Sequence, residues 1–207
     1  RNRLYELNDL IIQKTPKGWD IHPHYEVAHV VSHIENNLHH DYNVRGLWVA
    51  YGRNKQNLKK YGDWATPLQF MRIQVIIHYN NIGIWLMPGK QGAGQIDREY
   101  FSKMMLDSSY REIFFNALKK LGKDYWIEVS GENIYVNSFK TSDELWEFTK
   151  NDNWRNYYFI IGKDFELGLG EFKINNIQAT VLNEFEKLYA IYSLMLDKTL
   201  DTHLIVS

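Results

Sequence analysis

The chain has 207 residues, 44% hydrophobic and 24% charged, so it is long and apolar enough to bury a core and is no disordered tail. Twenty-four Lys and Arg against 25 Asp and Glu give a net charge of -1, so no global basic field drives nucleic-acid binding and any such site is a local patch. The absence of cysteine excludes a disulfide scaffold, a thiolate zinc site and a Cys nucleophile, and it fits a reducing, cytoplasmic setting. No apolar run approaches the roughly 20 residues of a membrane helix, so no membrane partner is expected. No secretory signal opens the chain, and its start at Arg1 points to a trimmed or partial chain.

In chain order, Arg1–Lys14 spaces Leu4, Leu7, Ile11 and Ile12 as a helix, and Thr15-Pro16-Lys17-Gly18 ends it. A second helix is predicted from His24 to His40, with Val27, Val30, Val31, Ile34 and Leu38 on one side. Residues 1–41 thus read as a helical N-terminal part. Strands follow at Val44–Gly52, Met71–Tyr79 and Ile82–Met87, the last two joined by a hairpin at Asn80-Asn81. A long polar connection, Arg53 to Pro67, lies between the first strand and that hairpin. Helix is predicted from Ile96 to Leu121 with a break near Asp107-Ser108-Ser109. A second hairpin covers Tyr125–Val129 and Ile134–Phe139, and Thr141 with Glu144 reads as a capping box opening a short helix. Tyr157–Ile161 is a strand, Phe165–Ile174 its expected partner, and Asn176–Leu196 a long helix; Leu204–Val206 can close as a strand. With no repeat or linker, the prediction is one α+β domain over 1–207. Its mixed or antiparallel sheet is built from hairpins over 44–174, with inserted helices and terminal helices packed on it.

Four constellations invite chemistry. His22–Asp41 holds six of the eight histidines, and on a helix Glu26, His29, His33 and His40 share a face that can take a metal or is simply solvated. Lys90 to Gln95 joins strand to helix with two glycines, a backbone cradle for an anion or a plain surface loop. The connection after the first strand gathers Arg53, Lys55, Lys59 and Lys60 among Asn54, Gln56, Tyr61 and Trp64. Cations there would hold phosphates, amides read base edges and aromatics stack on an unpaired base. Trp19, Tyr61 and Trp64 sit in polar sequence and are expected to be exposed, which suits either bases or a protein partner. Glu171-Phe172-Lys173 closes the series.

That last tripeptide resembles the second half of the PD-(D/E)xK nuclease signature. The resemblance implies a Mg²⁺-dependent endonuclease in which Glu171 and an upstream Asp152 or Asp164 hold the metal while Lys173 assists the attacking water. Neither aspartate follows a proline, as the signature would have it. The order of elements resembles the N-terminal DNA-binding domain of modified-cytosine-dependent, McrB-type restriction systems. The similar parts are Gly46-Leu-Trp-Val-Ala-Tyr51, the hairpin Gln74–Met87, and Tyr157-Tyr-Phe-Ile-Ile-Gly162 followed by Leu182–Tyr192. This implies recognition of duplex DNA without a cofactor, possible placement in a larger restriction complex, and a modified base flipped into an aromatic pocket. The sequence therefore leads to three expectations. The first is a DNA-binding domain of restriction or defence type, contacting DNA through Arg53, Asn54, Lys55, Gln56, Lys59, Lys60, Tyr61, Trp64 and Lys90. The second is the Mg²⁺ nuclease, and the third a protein-interaction module.

Overall fold

The computed structural model describes residues 2–24, 31–36, 42–78, 81–88, 94–166 and 177–199. Among these residues eight strands form one sheet: β1 (His22–Pro23), β2 (Val31–Asn36), β3 (Tyr42–Gly52), β4 (Arg72–His78), β5 (Asn81–Met87), β6 (Trp126–Val129), β7 (Glu132–Tyr135) and β8 (Phe159–Glu166). The order is β1-β3-β4-β5-β8-β6-β7, with β2 beside β3, and every neighbouring pair is antiparallel. The helices are α1 (Asn2–Lys14), α2 (Lys55–Lys59), α3 (Gly94–Met104), α4 (Ser108–Lys119), α5 (Ser142–Thr149) and α6 (Ile177–Met195). The α+β class expected from the sequence is the one formed.

Alternation along the strands divides the sheet into two unlike faces. Val49 and Tyr51 of β3, Ile73 and Val75 of β4, Ile82, Ile84 and Leu86 of β5, and Phe159 and Ile161 of β8 point inward. They meet Leu7 and Ile11 of α1, Phe101 of α3, Phe114 and Leu118 of α4, and the Val181, Phe185, Leu188 and Tyr192 stripe of α6. That three- and four-residue spacing is what makes α6 a helix with one buried side, and it packs across β4 and β5. The outward positions contribute nothing to this core.

Local sequence decides several boundaries. The predicted 96–121 helix does break: Asp107 caps α4, its carboxylate accepting from the Ser109 amide at 2.8 Å. Ser130 and Gly131 both take positive φ, 53° and 87°, the backbone of a two-residue hairpin turn between β6 and β7. At α5 the Thr141 hydroxyl accepts from the Glu144 amide at 3.1 Å, but the Glu144 carboxylate returns to the amide of Lys140 at 2.6 Å, one residue earlier than a capping box.

Two expectations are corrected. The helix His24–His40 is absent over Val31–Asn36, which instead pairs with β3 along the edge that β4 leaves open. The β-branched Val31 and Ile34 suit a strand, and the neighbouring edge supplies the hydrogen bonds that decide between the two periods. Among the described residues of the predicted helical N-terminal part, the helix is α1. Further on, Phe165 does not begin a partner for Tyr157–Ile161. It belongs to the same strand, β8, which runs through Gly162 and is paired by β5 and β6.

Candidate functional site

The connection after β3 is not an open loop. Asn54 caps α2, accepting from the Asn57 amide at 2.8 Å, and Thr66 with Gln69 folds a single 3₁₀ turn at Pro67–Gln69. Arg53 is corrected from a phosphate ligand to an internal strut. Its guanidinium is fully enclosed and grips Asp97 of α3 in two parallel bonds of 2.7 and 2.8 Å, with a third to the Asp197 carbonyl at 2.8 Å. Asp97 also accepts from the amides of Met71 (2.9 Å) and Asp197 (3.1 Å), so both carboxylate oxygens are used. Burial alone would pull the Arg53 pKa down, but the Asp97 carboxylate more than reverses this and raises it. Such an ion pair ties the ends of β3 and β4 to α3 and to the segment after α6; it offers nothing to DNA.

Of the other predicted contacts, Lys55, Gln56 and Lys59 are exposed on α2, Lys60 is half-buried, and Trp64 is 54% exposed. Lys55 and Lys59 line a cavity of about 250 Å³ with Pro23, Leu58 and Pro67. Asn54 and Asn57 both turn to Asp20, at 3.4 and 2.9 Å. Tyr61 is half-buried, tilted against Phe70 at 4.7 Å and donating to the Asp197 carbonyl at 3.3 Å. Trp19, expected on the surface, is half-buried and stacked on Tyr189 at 4.0 Å.

The nuclease candidates are not brought together by any described contact. Asp152 binds Arg98 through both carboxylate oxygens, one bond being 2.6 Å from Nε. Asp164 projects from the outer face of β8 and accepts two indole N–H groups, from Trp85 at 2.9 Å and Trp126 at 3.1 Å. Glu171, Lys173, Lys90, Glu26, His29, His40 and Leu204–Val206 lie outside the described residues. His33 falls on β2, so the helical face it was to share is not formed there. Among the described residues, no group of three His, Asp or Glu is placed to hold a metal.

The outward face of the sheet carries a site the sequence reading missed. β3, β4, β5 and β8 set Trp48, Arg72, Gln74, Ile76, His78, Trp85, Met87, Tyr158 and Ile160 around one cavity of about 280 Å³. Gly83 and Gly162 make the berth for Trp85. A Cβ on Gly162 would stand 2.4 Å from the Trp85 ring and one on Gly83 2.5 Å, so only glycine lets the indole lie flat on the sheet. Asp164 then fixes the ring by its N–H. Trp126 crosses Trp85 edge-on at 5.7 Å, and His78 approaches it at 5.9 Å. At the floor, Arg72 is buried, donating from Nε to Gln74 at 3.3 Å and from Nη1 toward the Phe70 carbonyl at 3.5 Å. Burial pulls its pKa down to about 10, slightly offset by Tyr158, so it stays a cation at neutral pH. The available signal was an Arg and a Gln alternating with Ile and Val inside a strand, facing a Gly-x-Trp on the next one: polar and aromatic groups on a face that is not core.

No family model matches the chain, and no curated protein matches its sequence significantly. Among the described residues no helix is long and apolar enough to cross a membrane.

Proposed function

We propose that the chain is a DNA-binding domain whose outer sheet face receives one unpaired base, stacked between aromatic rings above Arg72 and Gln74. The supporting observation is the cavity itself. Trp48, Trp85 and Tyr158 surround a space of about 280 Å³ with a buried cation and an amide at its base. That is the composition of a site for a planar ring with polar edges: apolar walls and few, fixed hydrogen-bonding groups. Backbone charge would be met by α2. The helix begins three residues after the end of β3 at Gly52, which pairs with Arg72, so Lys55 and Lys59 stand at the same end of the sheet as the cavity floor. Base-in-cavity and lysine-on-phosphate are the two halves of recognition that a protein of zero global field needs.

The restriction-system setting and the modified base rest on the sequence resemblance alone. The Mg²⁺ nuclease gains no support from its two upstream candidates, since Asp152 is engaged by Arg98 and Asp164 by two indoles.

Fluorescence anisotropy against two labelled duplexes, one fully paired and one with a single bulged nucleotide, tests the reading. Tighter binding to the bulged duplex, lost in Trp85→Ala, is expected, because an unpaired base costs less to extrude. Equal affinity for both duplexes, unaffected by Trp85→Ala, would reject the base-in-cavity account. Failure to bind either would leave the protein-interaction module.

A further inference from the structure

We infer that the DNA held on this face is single-stranded over about three nucleotides, the bases beyond the cavity stacking on Trp126 and Tyr135; the inference rests on the base-binding reading above. The register of the sheet carries the argument. Gln74, in the cavity lining, lies directly opposite Trp85, Trp85 opposite Gly162, Gly162 opposite Trp126, and Trp126 opposite Tyr135. These positions make one row across β4, β5, β8, β6 and β7 on the outward face. Gly162 has no side chain and the Trp85 ring lies in its place, so three aromatic rings follow one another along the row. Trp85 and Trp126 meet edge-on at 5.7 Å, and both direct their N–H groups to Asp164, which fixes the two rings before any ligand arrives. Tyr135 ends the row on the edge strand and is 60% exposed. From Trp85 to Tyr135 is three strand spacings, about 14 Å. At about 3.4 Å per stacked nucleotide, and more when the strand is extended, that length takes two or three bases, the number a four-stranded sheet face can stack. The outward positions of β8, β6 and β7 bring no lysine or arginine, and their charged side chains include Asp164 and Glu128. The added bases are therefore held by their rings with the phosphates turned to solvent. Their contribution is insensitive to salt, unlike that of Lys55 and Lys59.

The test compares three labelled duplexes by fluorescence anisotropy: one with a single bulged nucleotide, one with three, and one with three of which two are abasic. The full three-nucleotide bulge is expected to bind about tenfold more tightly than the single one, within the range of one or two stacked bases, with the same slope of log affinity against log salt. The abasic bulge keeps the backbone and its phosphates and should bind no better than the single bulge. Tyr135→Ala, at an exposed position, should remove most of the gain and leave the affinity for the single bulge unchanged. Because the abasic substitution alters only the DNA, the test stands whether or not the variant folds. Equal affinity for one and three bulged nucleotides would overturn the stacking row and leave base binding intact. So would a gain that the abasic bulge retains, that comes with a steeper salt slope, or that Tyr135→Ala leaves whole. No binding to any bulged duplex would remove the underlying reading as well and leave this face to a protein partner.

Discussion

Gly162→Ala is the most economical way to disturb the outer face without touching a polar group. The new Cβ would lie 2.4 Å from Trp85 Cδ1, closer than real methyl groups come, and 3.1 Å from Cγ, so the ring has to move. The indole must leave its berth, which breaks the 2.9 Å bond to Asp164 and shifts its edge contact with Trp126. Overpacking of this kind costs about 1–3 kcal/mol. The lost hydrogen bond is solvent-exposed and adds about 0.5–1.5 kcal/mol, while alanine recovers roughly 0.5–1 kcal/mol over glycine in a strand. The balance is about 2 kcal/mol, or roughly 4–8 °C of Tm for a chain of this length. Thermal unfolding followed by circular dichroism measures it, with Gly18→Ala as the control because nothing lies within 4 Å of its Cβ. The variant should also lose preference for bulged DNA while remaining folded. A Gly162→Ala protein with unchanged Tm and unchanged tryptophan emission would refute the claim that this glycine seats Trp85.

Three further outcomes follow from the same contacts. Arg53→Ala leaves Asp97 charged and enclosed, so chemical denaturation should show a loss of about 3–5 kcal/mol; a loss under 1 kcal/mol would mean that the pair is not the strut described. Lys55→Ala with Lys59→Ala should reduce the slope of log affinity against log salt by about 2, one for each phosphate contact, and an unchanged slope would take α2 out of the DNA surface. Burial raises the phenol pKa of Tyr110, Tyr125 and Tyr192 above the usual 10.0, with Glu184 adding to the effect at Tyr125. Their contribution to stability is thus complete below pH 10 and declines above it, as the unfolded chain ionises and the native one does not. In an absorbance titration these three tyrosines should ionise only as the protein unfolds, and their ionisation in the native state would contradict the burial.

Where an element is specified by its own residues, it is legible in the chain. The break at Asp107 and the α6 stripe each act over a few positions and form where the sequence places them, whereas the second hairpin, expected to resume at Ile134, turns on Ser130 and Gly131 alone and β7 starts at Glu132. β2 was misread because Val31 and Ile34 lie at helical spacing, and the deciding partner is the edge of a separate strand, β3. Arg53 was misread for a similar reason: an arginine beside lysines resembles a basic patch, and the carboxylate that encloses it is 44 residues away. The outer-face site is assembled from still more distant pieces. Trp85 meets Asp164 across 79 positions and lies on Gly162, and no single segment shows that the three are neighbours. The Asp164 that looks like half of a metal site in sequence is, in space, the acceptor that orients two tryptophans.

Whether the outer sheet face holds a base is read most directly from the indole N–H resonances. The chain has seven tryptophans, each giving one indole signal in a nitrogen-15 correlation spectrum. On titration with a bulged duplex, the signals of Trp48 and Trp85 should shift most, while that of Trp19, stacked at the opposite helix α6, stays in place. Saturable binding that leaves Trp48 and Trp85 unmoved would contradict the account and move the DNA site elsewhere on the molecule.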